Sequence, residues 1–99
     1  MSEELRTRQV TVVNPQGLHA RPAHRFVETA SRFNAKITIM KDGAQVDGKS
    51  ILELLTLGAS QGTELSINAS GQDAEAALCA LASLVEQGFA EDDAQSTSS

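Results

Sequence analysis

Residues 36–47 read K-I-T-I-M-K-D-G-A-Q-V-D. The part K-I-T-I-M, residues 36–40, has the composition of a β-strand, because β-branched side chains predominate in it. Asp42 and Gly43 follow, and an Asp-Gly pair is the strongest short signal for a two-residue hairpin turn. Residues 44–47 are therefore predicted to pair back onto the preceding strand. This hairpin indicates an antiparallel sheet.

Two further segments have the pattern of strands. Residues 6–13, R-T-R-Q-V-T-V-V, alternate in polarity and end in β-branched residues. Residues 63–69, T-E-L-S-I-N-A, place Leu65, Ile67 and Ala69 on one face. Strands that are polar on one face favour an antiparallel sheet covered on its other face by helices.

Three helices are predicted between and after these strands. A stripe of apolar residues at helical spacing begins after Ala20 and predicts a helix that ends near Asn34. A short helix is predicted after Ser50. The last helix is predicted to be capped by Asp73 and stopped by Gly88, with a buried stripe made of Ala74, Ala77, Leu78, Leu81, Ala82 and Val85. The predicted order is β-α-β-β-α-β-α, an α+β fold.

Length and composition limit the range of functions. The 99 residues predict one domain, residues 1–89, followed by an acidic, serine-rich tail, residues 90–99, that we expect to be disordered. A net charge of −5 argues against nucleic-acid binding, which depends on neutralising phosphates. No apolar run is long enough for membrane insertion, and the single cysteine, Cys79, cannot form an internal disulfide. We expect a cytoplasmic protein in which Cys79 is structural.

The candidate site lies in N-P-Q-G-L-H-A-R-P-A-H, residues 14–24. His19 stands at the N-cap of the predicted first helix or immediately next to it, where the backbone amides of Ala20 and Arg21 have no intrahelical acceptor. Such amides and the helix dipole favour an anion by about 0.3–1 kcal/mol. Arg21 adds a guanidinium suited to bidentate contact with a phosphoryl group, and Pro22 is compatible with a first helical turn.

An imidazole held at this position can accept a phosphoryl group, because much of it is neutral and nucleophilic near pH 7. Two other interpretations remain open from the residues alone. In the first, His19 is an ordinary N-terminal residue and Arg21 a solvated charge; in the second, His19 is the general base of a small hydrolase, although no nucleophile accompanies it. His24 lies about 140° further round the helix, so we expect a solvated side chain and no metal pair.

Two motifs carry a resemblance to a known family. G-L-H-A-R-P at residues 17–22, together with G-K-S-I-L-E-L-L-T-L-G at residues 48–58, resembles HPr, the histidine-containing phosphocarrier of the bacterial phosphotransferase system. The resemblance implies an open-faced β-sandwich, a four-stranded antiparallel sheet with three helices on one face. It implies that enzyme I, charged by phosphoenolpyruvate, phosphorylates His19, and that the group passes to enzyme IIA domains while Arg21 neutralises the phosphate. No cofactor or metal is implied, and we expect a monomer.

Ser50 has a structural and a regulatory interpretation. S-I-L-E, residues 50–53, predicts a capping box in which Ser50 accepts from the Glu53 amide and the Glu53 carboxylate reaches back. The resemblance implies that Ser50 is also the site phosphorylated by HPr kinase/phosphorylase in many bacteria.

The short helix that follows Ser50 is apolar almost all round. Leu54 and Leu57 are the better core pair, so Ile51, Leu52 and Leu55 are predicted to form a partly exposed patch that docks partners. The alternative is that all five side chains are buried.

The end of the chain leaves a second function open. E-Q-G-F-A-E-D-D, residues 86–93, resembles the ending of the nitrogen-related paralogue NPr. In that case the protein is a regulatory phosphorelay module that controls partner proteins without sugar transport.

Overall fold

The computed structural model describes residues 5–90. Its strands are β1 (Leu5–Thr11), β2 (Lys36–Lys41), β3 (Ala44–Asp47) and β4 (Glu64–Ser70). Its helices are α1 (Ala20–Ala30), α2 (Ile51–Thr56) and α3 (Ala74–Glu86), followed by a turn at Gly88–Ala90 in which Gly88 and Phe89 have positive φ. The element order and the α+β class are those predicted. Residues 91–99 of the predicted tail lie outside the described residues.

The four strands form one antiparallel sheet in the order β1-β4-β2-β3. In the β2–β3 hairpin Lys41 lies opposite Ala44, and both turn residues have positive φ, 50° at Asp42 and 85° at Gly43. Positive φ at both central positions is the geometry that an Asp-Gly hairpin turn adopts. The predicted hairpin is confirmed.

The core lies between the helices and one face of the sheet. On β4 the buried residues Leu65, Ile67 and Ala69 alternate with more exposed ones, as the sequence pattern predicts. The α3 stripe is also buried as predicted, and Cys79, which follows Leu78 of that stripe, is exposed. The sequence did not indicate Phe89, which is fully buried at a positive φ of 59°.

Helix α1 ends at Ala30, earlier than the predicted end near Asn34. The amides of Arg32 and Phe33 donate to carbonyls three residues back, at Thr29 and Ala30. These tighter bonds close the last turn, so the chain leaves the helix before Phe33. Phe33 is only partly buried against the core.

Asp73 stands at the N-cap of α3, but it does not cap that helix with its side chain. Its two carboxylate oxygens instead accept from the amides of Asn34 and Ala35, each at 2.8 Å. The predicted cap is thus replaced by a tether between α3 and the segment before β2. A carboxylate provides stronger hydrogen bonds than a neutral acceptor, which explains its use where two distant segments meet.

Only half of the capping box predicted at α2 forms. The Ser50 hydroxyl accepts from the Glu53 amide at 3.2 Å, as predicted. The Glu53 carboxylate accepts from the Asp47 amide at 2.8 Å, while the Ser50 amide donates to the Asp47 carbonyl at 3.2 Å. Glu53 therefore joins α2 to the end of β3 instead of closing back on Ser50.

Candidate functional site: the start of helix α1

The loop before α1 is a tight turn pressed against a second loop. The Gly17 amide donates to the Asn14 carbonyl at 3.1 Å, and Gly17 has a φ of 73°. A Cβ at Gly17 would overlap the Ala59 carbonyl oxygen and lie 2.8 Å from the Ser60 Cα. Glycine is required here both for its φ and for the close approach.

His19 is the N-cap residue of α1, as predicted. Its backbone is extended, with φ −95° and ψ −166°, and its carbonyl accepts from the Ala23 amide at 2.9 Å. Among the described residues, the His19 imidazole does not accept from an amide of the first turn. The hydrogen bond to Ala23 fixes the backbone of His19 at the start of the helix. The residue is half-buried, so part of it remains in contact with solvent.

The groups that surround His19 suit an anion. Ala20 and Arg21 are the first two residues of α1, where helix geometry provides no intrahelical acceptor for their amides. Arg21 is exposed, and Pro22, which has no amide hydrogen, is buried in the same turn. The helix has no acidic residue in its first turn. Dipole, amides and guanidinium therefore all favour negative charge at this end of α1.

Helix α2 presents an apolar surface close to this site. Leu52 is 78% exposed, Leu55 is 37% exposed and Ile51 is half-buried, whereas Leu54 and Leu57 are buried. The alternative in which all five side chains are buried was wrong. Helix α2 packs against α1, and the Leu18 amide donates to the Ala59 carbonyl at 2.8 Å. We name the half-buried Ile51 and the exposed Leu52 and Leu55 the α2 patch.

Ser50 is half-buried at the start of α2, between groups of both signs. Glu53 and Asp47 lie on the acidic side, joined by the hydrogen bond described above. The Lys49 ammonium group donates to the Phe33 carbonyl at 2.8 Å.

His24 is exposed, and its Nδ1 lies 3.8 Å from a carboxylate oxygen of Glu28 one turn further on. This is the solvated position predicted for it. Within residues 5–90, no group of three or more histidine, cysteine or acidic side chains is arranged to hold a metal ion. None of the described helices has the length and apolar character needed to cross a membrane.

Sequence reasoning missed Asn14, whose side chain is buried directly beneath the loop that carries His19. Its Nδ2 donates to the Gly17 carbonyl at 2.7 Å. The Asn-Pro pair at residues 14–15 signals only a turn. Burial of the asparagine depends on contacts with residues far along the chain, such as Gly88.

Comparison with known proteins decides the family. The family model described as PTS HPr component phosphorylation site matches residues 6–87. The chain belongs to the HPr family. A phosphocarrier protein HPr of Xylella fastidiosa is 40% identical over 84 residues, which cover 85% of this chain and 94% of that protein.

Solved HPr structures share the fold. The HPr of Thermoanaerobacter tengcongensis has a TM-score of 0.82 and 43% identity, covering 85% of this chain and 94% of that one. The HPr of Bacillus anthracis has a TM-score of 0.79 and 44% identity, covering 82% and 96%. The resemblance noted in the sequence is confirmed, and the open-faced sandwich is the HPr fold.

Proposed function

We propose that this HPr-family protein accepts a phosphoryl group on His19 from enzyme I charged by phosphoenolpyruvate and passes it to enzyme IIA domains in the cytoplasm. The observation that carries the proposal is the position of His19 at the N-cap of α1, beside the amides of the first turn and the exposed Arg21. A carrier needs an acceptor that partners can reach and a site that receives the phosphoryl oxygens. This end of α1 supplies both.

In the transfer, a ring nitrogen of His19 attacks phosphorus, the bond from phosphorus to the donor breaks, and a P–N bond forms. The amides of Ala20 and Arg21 receive phosphoryl oxygens, and the Arg21 guanidinium balances their charge. The same contacts serve the second transfer, in which a histidine of the enzyme IIA domain attacks phosphorus, a new P–N bond forms on that domain and the P–N bond to His19 breaks. The protein is thus a stoichiometric carrier that turns over no small substrate.

The direct test is incubation of the purified chain with enzyme I and phosphoenolpyruvate, followed by intact mass measurement. A carrier gains one phosphoryl group, and the group is lost in acid because a P–N bond is acid-labile. It also leaves the chain when an enzyme IIA domain is added. A wild-type chain that gains no mass contradicts the proposal.

We propose that the α2 patch docks both classes of partner. Exposed leucines on a helix that packs against α1 offer apolar area beside the phosphoryl site. A few side chains that become buried at the centre of an interface provide most of its binding energy, and burial of apolar area is favourable. The patch therefore sets affinity, while His19 and Arg21 carry the chemistry.

Leu52→Glu is expected to raise the KM of enzyme I for this chain by about 5- to 30-fold, the effect of losing about 1–2 kcal/mol at an interface. The Tm is expected to change little because Leu52 is 78% exposed. Steady-state kinetics and a thermal melt measure the two effects. The matched control is Leu5→Glu, since Leu5 is also strongly exposed, at 71%, but lies on β1. Equal KM values for Leu52→Glu and Leu5→Glu would contradict the proposal that α2 docks enzyme I.

We further propose that Ser50 is a regulatory phosphorylation site. Its side chain begins α2 directly before the α2 patch, and a phosphate there adds about −1.5 to −2 charge. That charge lies next to Glu53 and beside the surface that partners bind. Phosphorylation should therefore weaken docking more than it weakens the fold.

Incubation with HPr kinase/phosphorylase and ATP is expected to add one acid-stable phosphate to the wild type and none to Ser50→Ala. The phosphorylated chain is then expected to show a raised KM for enzyme I and a Tm close to that of the unmodified chain. Intact mass after acid treatment separates this phosphate from the one on His19. An acid-stable phosphate retained by Ser50→Ala would place the modification elsewhere.

A further inference from the structure

The buried side chain of Asn14 lies under the loop that presents His19. Among residues 5–90 it is the only buried polar or charged side chain, at 4% exposure. We propose that Asn14 is a positioning residue for phosphoryl transfer, an inference that rests on the proposed role of His19. Asn14 acts through the backbone of the loop, since its Nδ2 donates to the Gly17 carbonyl.

Asn14 holds both polar groups of Gly17. Its carbonyl accepts from the Gly17 amide at 3.1 Å, and its Nδ2 donates to the Gly17 carbonyl at 2.7 Å. The same Gly17 carbonyl accepts from the His19 amide at 3.0 Å. One carbonyl thus links the Asn14 side chain directly to the backbone of the phosphoryl acceptor.

The remaining sides of this loop are closed by other segments. The Leu18 amide donates to the Ala59 carbonyl at 2.8 Å, and Gly17 lies against Ala59 and Ser60. Gly88 packs over Asn14, since a Cβ at Gly88 would lie 3.8 Å from the Asn14 Cβ. Asn14 therefore sits inside a packed junction and can fix the orientation of the Gly17 carbonyl.

Loss of the Nδ2 donor removes one of the two hydrogen bonds that hold that carbonyl in place. The His19 backbone then takes up a broader range of positions relative to the first turn of α1. Small displacements of a reacting group strongly lower the rate of a chemical step. The α2 patch is untouched, so the loss should appear in kcat and not in KM.

The test uses Asn14→Asp, which keeps the size of the side chain and replaces the donor with an acceptor facing the Gly17 carbonyl. Asn14→Ala is the second variant, because it removes the donor without adding charge. With enzyme I and phosphoenolpyruvate, both are expected to lower kcat by about 10- to 100-fold and leave KM within about twofold. Rates are measured at a temperature at which melts show every variant folded.

Asp73→Ala is the matched control for lost stability. It removes two hydrogen bonds to the backbone, at Asn34 and Ala35. These bonds lie at the end of the sheet where Leu5 pairs with Ser70, opposite the end where β1 leads into the His19 loop. Asp73→Ala is expected to lower the Tm and leave kcat at the wild-type value. In ¹H–¹⁵N spectra, the His19 amide signal is expected to move in both Asn14 variants and not in Asp73→Ala.

The outcomes separate this inference from the proposed function. If the wild type is phosphorylated and the Asn14 variants keep the kcat of Asp73→Ala, the positioning role is wrong while the carrier function stands. A raised KM at unchanged kcat also overturns it. If enzyme I does not phosphorylate the wild type, the carrier proposal fails, and the small donor phosphoramidate then measures the reactivity of His19 directly. Equal phosphoramidate rates in wild type and Asn14→Ala overturn the positioning role in that case too.

Discussion

His19→Ala is expected to abolish phosphorylation by enzyme I and phosphoenolpyruvate, so that the chain keeps its unmodified mass. Under the proposed function the His19 side chain is the nucleophile, so this variant has no atom to which the phosphoryl group can bond. The fold should survive, since His19 is half-buried and helps form α1 through its backbone carbonyl, which alanine retains. Intact mass and a thermal melt together measure both expectations.

His24→Ala is the matched control because it removes the other imidazole of the chain from the same helix. Its pairing with Glu28 is exposed, and exposed pairs contribute about 0–1 kcal/mol, so stability should be close to that of the wild type. Phosphorylation of His24→Ala is expected at the wild-type rate. If His19→Ala gains a phosphoryl group, or if His24→Ala gains none, the conclusion that residue 19 is the acceptor is contradicted.

Local sequence signals predicted the elements of the fold well. The Asp42-Gly43 turn, the alternation along β4 and the helical stripe of α3 each involve residues close in sequence, so their pattern reflects one element. The antiparallel sheet and its helical cover follow because each element has one apolar face to bury.

Contacts between distant segments were the part that the sequence did not reveal. Asp73 has the identity and position of a helix cap, yet its carboxylate binds the amides of Asn34 and Ala35. Phe89 lies beyond the last helix in a left-handed conformation, and only the assembled core explains its burial. The partners of Asp73 and the burial of Phe89 depend on which segments meet in the folded protein. The spacing of apolar residues along the sequence does not reveal this.

The candidate site divides in the same way. The N-cap position of His19 and the exposed leucines of α2 could be predicted, because helix starts and helix faces are local features. The burial of Asn14 could not be predicted, because it arises from the packing of Gly17 and Gly88 around this side chain. The residues proposed to react are thus visible as local signals, whereas the burial of Asn14 depends on tertiary packing.

Gly17→Ala is expected to lower both the Tm and the rate of phosphorylation, because a side chain at this position overlaps a segment neighbouring the loop that carries His19. The positive φ of 73° opposes any side chain, and the new Cβ would overlap the Ala59 carbonyl oxygen. Backbone strain of about 1 kcal/mol and overpacking of about 1–3 kcal/mol add to about 2–4 kcal/mol of lost stability. At about 4–8 °C per kcal/mol for a domain of this size, the Tm should fall by about 10–30 °C. The loop can relieve the overlap only by moving away from Ala59, which displaces His19 and slows phosphorylation.

Gly58→Ala distinguishes the overlap from the strain. Gly58 also has a positive φ, 61°, but within the described residues a Cβ there would have no neighbour within 4 Å. It should therefore lose only the strain of about 1 kcal/mol and keep the wild-type rate of phosphorylation. Thermal melts and the rate with enzyme I measure both variants under the same conditions. If the two glycine variants show equal Tm and equal rates, the overlap of a Gly17 Cβ with the Ala59 carbonyl neither destabilises the fold nor displaces His19.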